Sequence, residues 1–336
     1  MRRIVIAFTG TVLVFLMIVC VWAYWLFRQP LALPDGDAVY ILEVPKGATL
    51  TQVARALVKD GILRHTWLMT VPARFREDQY TIKAGCYEVP TGTTIPQLFE
   101  KLVKGASIPV AIQLAEGARF EDYKRALRDS PDIVNTLLDL PDAEILRAIG
   151  AAETSPEGLF FPDTYHVASG SDDLSILKKA YQEMQMRLTK AWENRSPDLP
   201  LASPYEALIL ASIIEKEAGM EEDRLLVASV FVNRLKIGMR LQADPTVIYG
   251  MGSRYQGRIL RRDLDADTPY NTYTRDGLPP TPIASVSQAS LDAAVRPPTT
   301  KFLYFVAHSD KSGNSVFSET LSEHNRAVSK HILKKK

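Results

Sequence analysis

The sequence contains very little cysteine and almost no net charge. Of its 336 residues, only Cys20 and Cys86 are cysteines. Because Cys20 lies inside a long apolar run, no intramolecular disulfide is expected, and apolar cores must hold the folded parts together. The 40 lysines and arginines are balanced by 39 aspartates and glutamates, which excludes nucleic-acid binding driven by bulk charge. An enzyme, a binding module or a scaffold remains.

The spacings of a metal or cofactor site are also absent from the sequence. The histidines are scattered, without an H-E-x-x-H motif or paired cysteines nearby. They are His65, His166, His308, His324 and His331. No glycine-rich loop of the kind that binds phosphate is visible either. We therefore expect no metal and no cofactor, and we expect Cys86 to be a buried, unreactive thiol.

A long apolar run lies at the amino terminus. Residues 4–27 include no charged residue and are long enough to cross a hydrocarbon core of about 30 Å. The run ends in aromatic residues and Arg28 rather than in a small-residue cleavage site, so it predicts a membrane helix and not a signal peptide. Arg2 and Arg3 favour a cytoplasmic location for residues 1–3. The chain after a linker at residues 28–38 is then expected on the far side of the membrane.

An internal repeat follows the linker. Residues 44–61 read VPKGATLTQVARALVKDG, and residues 89–105 read VPTGTTIPQLFEKLVKG. In each copy a strand-like segment meets a turn glycine and then a short amphipathic helix, and a fainter third copy occupies residues 114–127. The pattern resembles the LysM module, which binds glycans that contain N-acetylglucosamine. Residues 39–128 are therefore expected to form a LysM-like region, which would either bind glycan or act as a spacer.

Residues 129–203 predict a connecting, largely helical part of the chain. It contains the motif EGLFFPDTYHV at residues 157–167. An amphipathic helix is predicted over residues 174–192 from the helical spacing of Leu177, Tyr181, Met184 and Leu188. Several prolines between residues 194 and 204 then interrupt the chain.

The stretch LASIIEKEAG at residues 210–219 belongs to a helix with a clear start. Ser203 suits the N-cap, Pro204 suits the first helical position, and Glu206 completes a capping box. Between residues 207 and 214 only Ser212 is polar. The helix is therefore expected to be buried on most of its circumference.

The two glutamates of this stretch differ in direction. At about 100° per residue, Glu217 lies within about 20° of Leu210, whereas Glu215 points to nearly the opposite side. Gly219 predicts a C′ residue, which places Glu217 in the last turn, near the negative end of the helix dipole. Dipole and burial would both raise the pKa of Glu217, as a general acid at neutral pH requires. The same pattern also fits a solvated helix end in which neither glutamate reacts.

The segments after this helix carry a family resemblance. Residues 221–236 predict a second helix, with acids in the first turn and a base in the last, and two polar-aromatic loops rich in glycine and proline follow. The motifs in chain order are E-K-E, ASVFVNRL, MRLQADPTVIYG, YNTYT, GLPPTPI and FLYFVAH. Together with the apolar amino terminus and the repeat, they resemble the MltG (YceG-like) family of endolytic murein transglycosylases over nearly the whole chain.

The resemblance implies an α+β fold with a single N-terminal transmembrane helix, the LysM-like βα repeat region and a lytic-transglycosylase-like catalytic domain at residues 204–330. It implies cleavage of the MurNAc-β-1,4-GlcNAc bond of peptidoglycan without water, which leaves 1,6-anhydro-MurNAc ends and would terminate glycan elongation. The Q-E-S pattern of lysozyme-like lytic transglycosylases matches K-E-A here and selects Glu217 over Glu215. The implied location is the bacterial inner membrane, with most of the chain in the periplasm beside penicillin-binding proteins.

The two loops supply further candidates that would bind substrate. Their polar and aromatic side chains would form hydrogen bonds with acetamido and hydroxyl groups and stack on sugar rings. These candidates are Gln242, Asp244, Thr246, Asn271, Thr272 and Tyr273. The alternative is that Asp244 and Asn271 only form turns, as such residues do in many proteins.

Two other functions fit the sequence. One is a non-catalytic peptidoglycan-binding scaffold that recruits cell-wall synthases through its repeats. The other is an ordinary hydrolase, in which Asp244 or Asp263 activates water beside the acid. The chemical nature of the product ends distinguishes these functions from lytic cleavage.

Overall fold

The structure is a computed structural model that describes residues 13–33 other than 16, 20 and 23, and residues 38–45, 47–74, 82–105, 107–308 and 314–331. The predicted cytoplasmic residues 1–3 and much of the predicted membrane helix at residues 4–27 lie outside the described residues. Those described between residues 13 and 28 have helical backbone. Within the described ranges, no helix combines the length and the apolarity needed to span a membrane.

Contacts along the chain divide the protein into two units. The first comprises Met1–Ala111, Pro131–Val134 and His166–Asp172, and the second comprises Ile112–Ser130, Asn135–Tyr165 and Asp173–Lys336. The third repeat copy, at residues 114–127, therefore belongs to the second unit. This division differs from the boundary at residue 128 that the sequence predicted for the LysM-like region.

The two clear repeat copies each form one strand and one helix in the first unit. Strand β1 (Val39–Val44) pairs antiparallel with β2 (Gly85–Pro90). The strands lead into helices α1 (Leu50–Lys59) and α3 (Ile95–Lys104), respectively. A further helix, α2 (Trp67–Arg74), lies between the two copies in the sequence.

The shared pattern V-P-x-G-x-T, with a glutamine after it, has a direct physical explanation. The glycine has a positive φ in both copies, 76° in the first and 89° in the second, and this region favours glycine. The glutamine side chain accepts a hydrogen bond from the backbone N–H of the threonine that precedes each helix. Gln52 Oε1 accepts from the Thr49 N–H at 2.7 Å, and Gln97 Oε1 accepts from the Thr94 N–H at 2.9 Å. Each copy thus encodes a strand, a turn and a capped helix start.

The two copies share one apolar core. Leu42 of β1 stands opposite Tyr87 of β2, and both side chains are buried. Leu57 of α1 and Leu102 of α3 belong to the same buried cluster and are fully shielded from solvent. One strand and one helix would not bury these residues, so the two copies stabilise each other. Glycan binding by this region stays a prediction.

The third copy also forms a strand and a helix. Strand β3 (Pro109–Gln113) pairs with β5 (Thr164–Ala168), and helix α4 (Phe120–Arg128) follows β3. Its start is capped by Asp122, whose Oδ2 accepts from the Arg119 N–H at 3.0 Å. After α4 comes the short strand β4 (Ile133–Val134), which pairs in parallel with β6 (Ser171–Asp172).

The second unit consists mainly of helices. After α4 they are α5 (Asp142–Ile149), α6 (Asp173–Glu193), α7 (Pro204–Glu217), α8 (Glu221–Lys236), α9 (Asp244–Met251), α10 (Arg261–Asp265), α11 (Gln288–Val295) and α12 (Leu321–His331). Helix α11 packs against α6, α7 and α8. Strands β7 (Tyr304–Ala307) and β8 (Ser315–Ser318) form an antiparallel pair before α12. The predicted amphipathic helix is confirmed as α6, with Leu177, Met184 and Leu188 buried.

Helix α7 begins at the predicted N-cap Ser203, but Glu206 does not complete the predicted capping box, because its Oε2 accepts from the Ala202 N–H at 2.7 Å. Ser203 Oγ accepts from the Glu206 N–H at 3.2 Å, and every residue from 207 to 214 is buried. The hydroxyl of Ser212 donates to the Ile209 carbonyl at 2.7 Å and accepts from the Ile283 N–H at 3.0 Å, so its burial leaves no unpaired polar atom. Gly219 follows the C-cap Ala218 and so lies at the predicted C′ position, but it lacks the positive φ of a glycine cap, and the extended backbone of Ala218 (φ −75°, ψ 103°) ends the helix.

Residues 244–251 are a further correction, because the sequence analysis expected a loop there and the structure has helix α9. Pro245 lies in its first turn, where a fixed φ favours helix and the missing N–H costs nothing. The Thr246 hydroxyl donates to the Ala243 carbonyl at 2.7 Å and fixes the same turn. The helix start therefore brings the backbone N–H of Asp244 into the site described below.

Candidate active site

Glu217 is the last residue of α7, and part of its side chain remains exposed. Burial is the main cause that raises its pKa from the ordinary 4.5 to about 7. The Asp244 carboxylate raises the pKa further, whereas Arg234 and the backbone N–H of Asp244 lower it. A carboxyl group balanced in this way is partly protonated near neutral pH, and it can either donate or accept a proton.

Asp244 acts on Glu217 in two opposite ways. As the first residue of α9, it has a backbone N–H that the helix itself leaves without a partner. This N–H lowers the pKa of the Glu217 carboxyl group. The Asp244 side chain is exposed and accepts a hydrogen bond from the Tyr273 hydroxyl at 2.6 Å. Asp244 thus supplies both a donor, which favours the carboxylate, and a negative charge, which favours the acid.

Arg234 is a site residue that the sequence analysis missed. It lies in α8 and is only 7% exposed. Its Nε donates to the Leu303 carbonyl at 2.7 Å, and its Nη1 donates to the Leu241 carbonyl at 2.7 Å. The guanidinium charge favours the ionised form of Glu217, while burial lowers the pKa of Arg234 itself. A single arginine within the apolar motif ASVFVNRL was the available indication.

Besides Asp244, two of the predicted binding residues retain accessible surface. Gln242 is exposed and has a φ of 50°, the only positive φ of a non-glycine residue in the described part of the chain. A positive φ raises the conformational energy of a residue that has a side chain. The backbone N–H of Gln242 donates to the Thr272 carbonyl at 3.1 Å, which stabilises this conformation. Tyr273 is half-buried; burial and its hydrogen bond to Asp244 raise its pKa, so its hydroxyl stays protonated.

Three other predicted binding residues lie inside the protein, which is at odds with direct contact to substrate. Thr246, Asn271 and Thr272 are at most 2% exposed. Thr246 Oγ1 lies 2.9 Å from Thr272 Oγ1, which also accepts from the Ala243 N–H at 2.9 Å. The Asn271 amide donates to the Leu264 and Ala266 carbonyls at 2.9 and 2.7 Å. Their polar atoms are satisfied by the protein, so they fix the loops that carry Gln242 and Tyr273.

Glu215 has a different environment from Glu217. Its Oε2 accepts from the Ser287 hydroxyl at 2.6 Å and from the Ser287 N–H at 3.1 Å. Ser287 is the N-cap of α11, so this carboxylate joins the end of α7 to the start of α11. The two glutamates therefore differ in their partners as well as in their direction, and Glu217 interacts electrostatically with Arg234, Asp244 and Tyr273.

The group around Glu217 comes from three parts of the second unit. Helix α7 supplies the carboxyl group, α8 supplies the buried positive charge, and the start of α9 supplies an amide donor with a second carboxylate. Among the described residues, no group of three or more histidine, cysteine, aspartate or glutamate side chains could hold a metal ion. The chemistry that this arrangement supports is proton transfer by one carboxyl group at neutral pH.

The chain belongs to the YceG-like family. The sequence profile of this family matches residues 42–330, which confirms the resemblance found in the sequence. Membership makes the chain an enzyme of the lytic transglycosylase class, the carbon–oxygen lyases that act on polysaccharides.

Relatives from several bacteria match most of the chain. The "Endolytic murein transglycosylase" of Bacillus subtilis (strain 168) is 31% identical over 318 residues, which cover 90% of this chain and 87% of that protein. The protein of the same description from Streptococcus pneumoniae serotype 2 is 26% identical over 370 residues, which cover 98% of this chain and 66% of that protein. The crystal structure of a YceG-like protein from Listeria monocytogenes is similar, with a TM-score of 0.53 and 28% identity over 86% of this chain and 98% of that chain.

Proposed function

We propose that the protein is a membrane-anchored, endolytic peptidoglycan lytic transglycosylase. It would cleave the MurNAc-β-1,4-GlcNAc bond within glycan strands and leave 1,6-anhydro-MurNAc ends. The substrate class follows from the relatives that are described as endolytic murein transglycosylases. Cleavage of nascent strands would terminate their elongation.

One carboxyl group performs both proton transfers in this reaction. Protonated Glu217 gives its proton to the glycosidic oxygen as the bond from that oxygen to C1 of MurNAc breaks. The resulting carboxylate then takes the proton from the C6 hydroxyl of the same sugar as O6 bonds to C1. The GlcNAc fragment leaves with a hydroxyl group, the MurNAc fragment keeps the anhydro ring, and Glu217 is protonated again. No water is consumed.

The observation that carries this proposal is the protonation equilibrium of the Glu217 carboxyl group. Its pKa of about 7 lets it start the reaction as an acid at neutral pH. The Asp244 N–H and the Arg234 charge then stabilise the carboxylate that the first step produces. The opposing influences on one carboxyl group match a residue that must give and then take a proton.

The remaining predicted residues divide into two roles in this proposal. Gln242 and Tyr273, which keep accessible surface, would contact the sugars directly, and Asp244 would act through its amide and its carboxylate. Thr246, Asn271 and Thr272 would hold these groups in place from inside the protein.

The rest of the proposal concerns location and partners. Residues 4–27 would anchor the protein in the inner membrane, with residues 1–3 in the cytoplasm and the remainder in the periplasm. The LysM-like region at residues 39–128 would contact glycan or act as a spacer, residues 129–203 would connect it to the catalytic domain, and residues 204–330 would carry the reaction. Penicillin-binding proteins would be the partners that supply the strands.

The chemistry can be tested on the full chain in detergent micelles. Uncrosslinked glycan strands are incubated with wild-type protein, Glu217→Gln or Glu215→Gln, and the new ends are identified by mass spectrometry. We expect anhydro ends from the wild type, none from Glu217→Gln, and retained cleavage by Glu215→Gln, whose carboxylate is bound to Ser287. Unchanged activity of Glu217→Gln would refute the assignment, and no cleavage by the wild type would leave the scaffold function.

A second candidate function is supported by the position of Asp244. A carboxylate beside the acid is the arrangement in which glycosidases activate water or form a covalent intermediate. Asp263 is a weaker candidate for this role, because its Oδ2 accepts from the Leu260 N–H at 2.8 Å and caps α10. Reducing ends in the same experiment would identify a hydrolase, and Asp244→Asn would then abolish cleavage.

A further inference from the structure

The motif EGLFFPDTYHV contains a buried carboxyl group that the proposed reaction does not use. Glu157 is 6% exposed. Its Oε1 accepts from the Phe120 N–H at 3.0 Å, and its Oε2 accepts from the Tyr249 hydroxyl at 3.1 Å. Phe120 is the first residue of α4, and Tyr249 lies in α9. The Glu157 carboxylate thus joins the start of α4 to α9.

Other contacts hold α9 at the same place. The Arg119 guanidinium carbon lies 5.0 Å from the centre of the Tyr249 ring, and Arg119 Nη2 donates to the Ile248 carbonyl at 3.4 Å. The Tyr249 ring also packs against Tyr270, with 4.8 Å between ring centres. These contacts fix Tyr249, and Glu157 is the group that accepts the hydrogen bond from its hydroxyl.

The position of Tyr249 matters for the active site because α9 is short. Asp244 is the first residue of α9, which packs against α7, and its carboxylate and backbone N–H both act on the pKa of Glu217 at the end of α7. Tyr249 lies five residues further on, about 7.5 Å along the axis of one continuous hydrogen-bonded helix. A helix of this length moves as one body, so a shift at Tyr249 also moves the Asp244 N–H.

We propose that Glu157 is a positioning residue of the active site: by binding Tyr249 it sets the place of α9 against α7, and with it the position of Asp244 relative to Glu217. Glu157 itself is shielded from solvent and does not touch the substrate. The consequence for catalysis rests on the proposed function, whereas the link from Glu157 to Glu217 does not.

This link is sensitive to pH. The titratable and charged groups that face Glu157 are Arg119, Asp122, Tyr123 and Tyr249. Burial raises the pKa of Glu157 to about 7, against the opposing effects of the Phe120 and Tyr249 hydrogen bonds and the Arg119 charge. Above this pH the carboxylate accepts both hydrogen bonds. Below this pH, the added proton occupies one of the acceptor sites of the Glu157 carboxylate. This weakens the hydrogen bonds through which Glu157 fixes α9.

The pKa of Glu217 reports the position of α9 directly. The groups that face Glu217 are Arg234, Asp244 and Tyr273. Helix α9 carries the Asp244 carboxylate, which raises the Glu217 pKa, as well as the Asp244 N–H, which lowers it by less. Retreat of α9 therefore removes more of the raising effect than of the lowering effect and must lower this pKa. A residue that only contributed to global stability would leave this pKa unchanged as long as the protein stayed folded.

The test is a carboxyl-carbon NMR titration of the full chain in detergent micelles, with the Glu217 signal assigned by its loss in Glu217→Gln. Glu157→Gln and Tyr249→Phe should each move the Glu217 midpoint to lower pH. The double variant should move it no further than the larger single effect, because both act through one link. Glu153→Gln is the matched control, since Glu153 also binds a tyrosine hydroxyl, that of Tyr181 at 3.1 Å, on α6 rather than α9.

An unmoved Glu217 midpoint in both folded single variants overturns the proposal, and so does an equal shift in Glu153→Gln. If Glu157→Gln does not fold, Tyr249→Phe decides alone, because it keeps the carboxylate and removes only one hydroxyl. The titration needs no substrate. Failure of the wild type to cleave glycan would therefore refute the proposed function without changing this result.

Discussion

Replacing Glu217 by glutamine should make the protein more stable at alkaline pH, although it removes the proposed catalytic group. The folded-state pKa of about 7 exceeds the ordinary value of 4.5 by roughly 2.5 units. At about 1.4 kcal/mol per unit, this is about 3 kcal/mol of differential interaction. Because the folded-state pKa is raised, the stability contribution is fully present below about pH 4.5 and is lost as pH rises through about 7.

Glutamine is neutral at every pH and does not undergo this loss. The free energy of unfolding of Glu217→Gln should therefore exceed that of the wild type by up to about 3 kcal/mol at about pH 8.5, and the difference should shrink towards pH 4.5. Urea denaturation of the full chain, followed by circular dichroism, measures it at both pH values. Glu215→Gln is the control and should show no such gain, because it alters the contact with Ser287. A difference between wild type and Glu217→Gln that does not depend on pH would refute the reasoning.

Two further predictions separate the roles of the neighbouring residues. Asp244→Asn keeps the backbone N–H and an acceptor for the Tyr273 hydroxyl, but it removes a negative charge that raises the Glu217 pKa. The alkaline limb of the pH–rate profile should therefore move to lower pH. A shift of this limb to higher pH would contradict the prediction. Thr246→Val removes a hydroxyl that is 0% exposed and should cost about 1–3 kcal/mol in thermal or urea denaturation with KM unchanged. A raised KM at unchanged stability would show that Thr246 contacts the substrate after all.

Helix α7 shows how much of the site was predictable from local sequence. Its start depends on Ser203 and Glu206, which are close in the chain, and its burial depends on an apolar run without interruption. The direction of the two glutamates depends only on helical geometry. These features need no knowledge of distant residues, and the structure agrees with the start, the burial and the different surroundings of the pair.

Helix α9 and Arg234 show what local sequence does not contain. The segment DPTVIYGM is rich in residues that favour turns, and its helix is completed by contacts such as Thr246 to Thr272 and Tyr249 to Glu157. Arg234 is buried because carbonyls from residues 241 and 303 accept its hydrogen bonds. Partners this far along the chain cannot be inferred from spacing alone. The sequence therefore predicts substrate contacts for Thr246, Asn271 and Thr272, which are internal.

The value of the arrangement around Glu217 lies in its balance. Burial alone would hold the proton too firmly for the second step, because the carboxylate left after the first step would be poorly stabilised. Arg234 and the Asp244 N–H alone would keep the group ionised and unable to start the reaction. With both present, the pKa lies near neutral pH, where the acid and the carboxylate are close in free energy. Because the Asp244 N–H depends on where α9 begins, this balance is set by the packing of a helix as well as by the charges beside the carboxyl group.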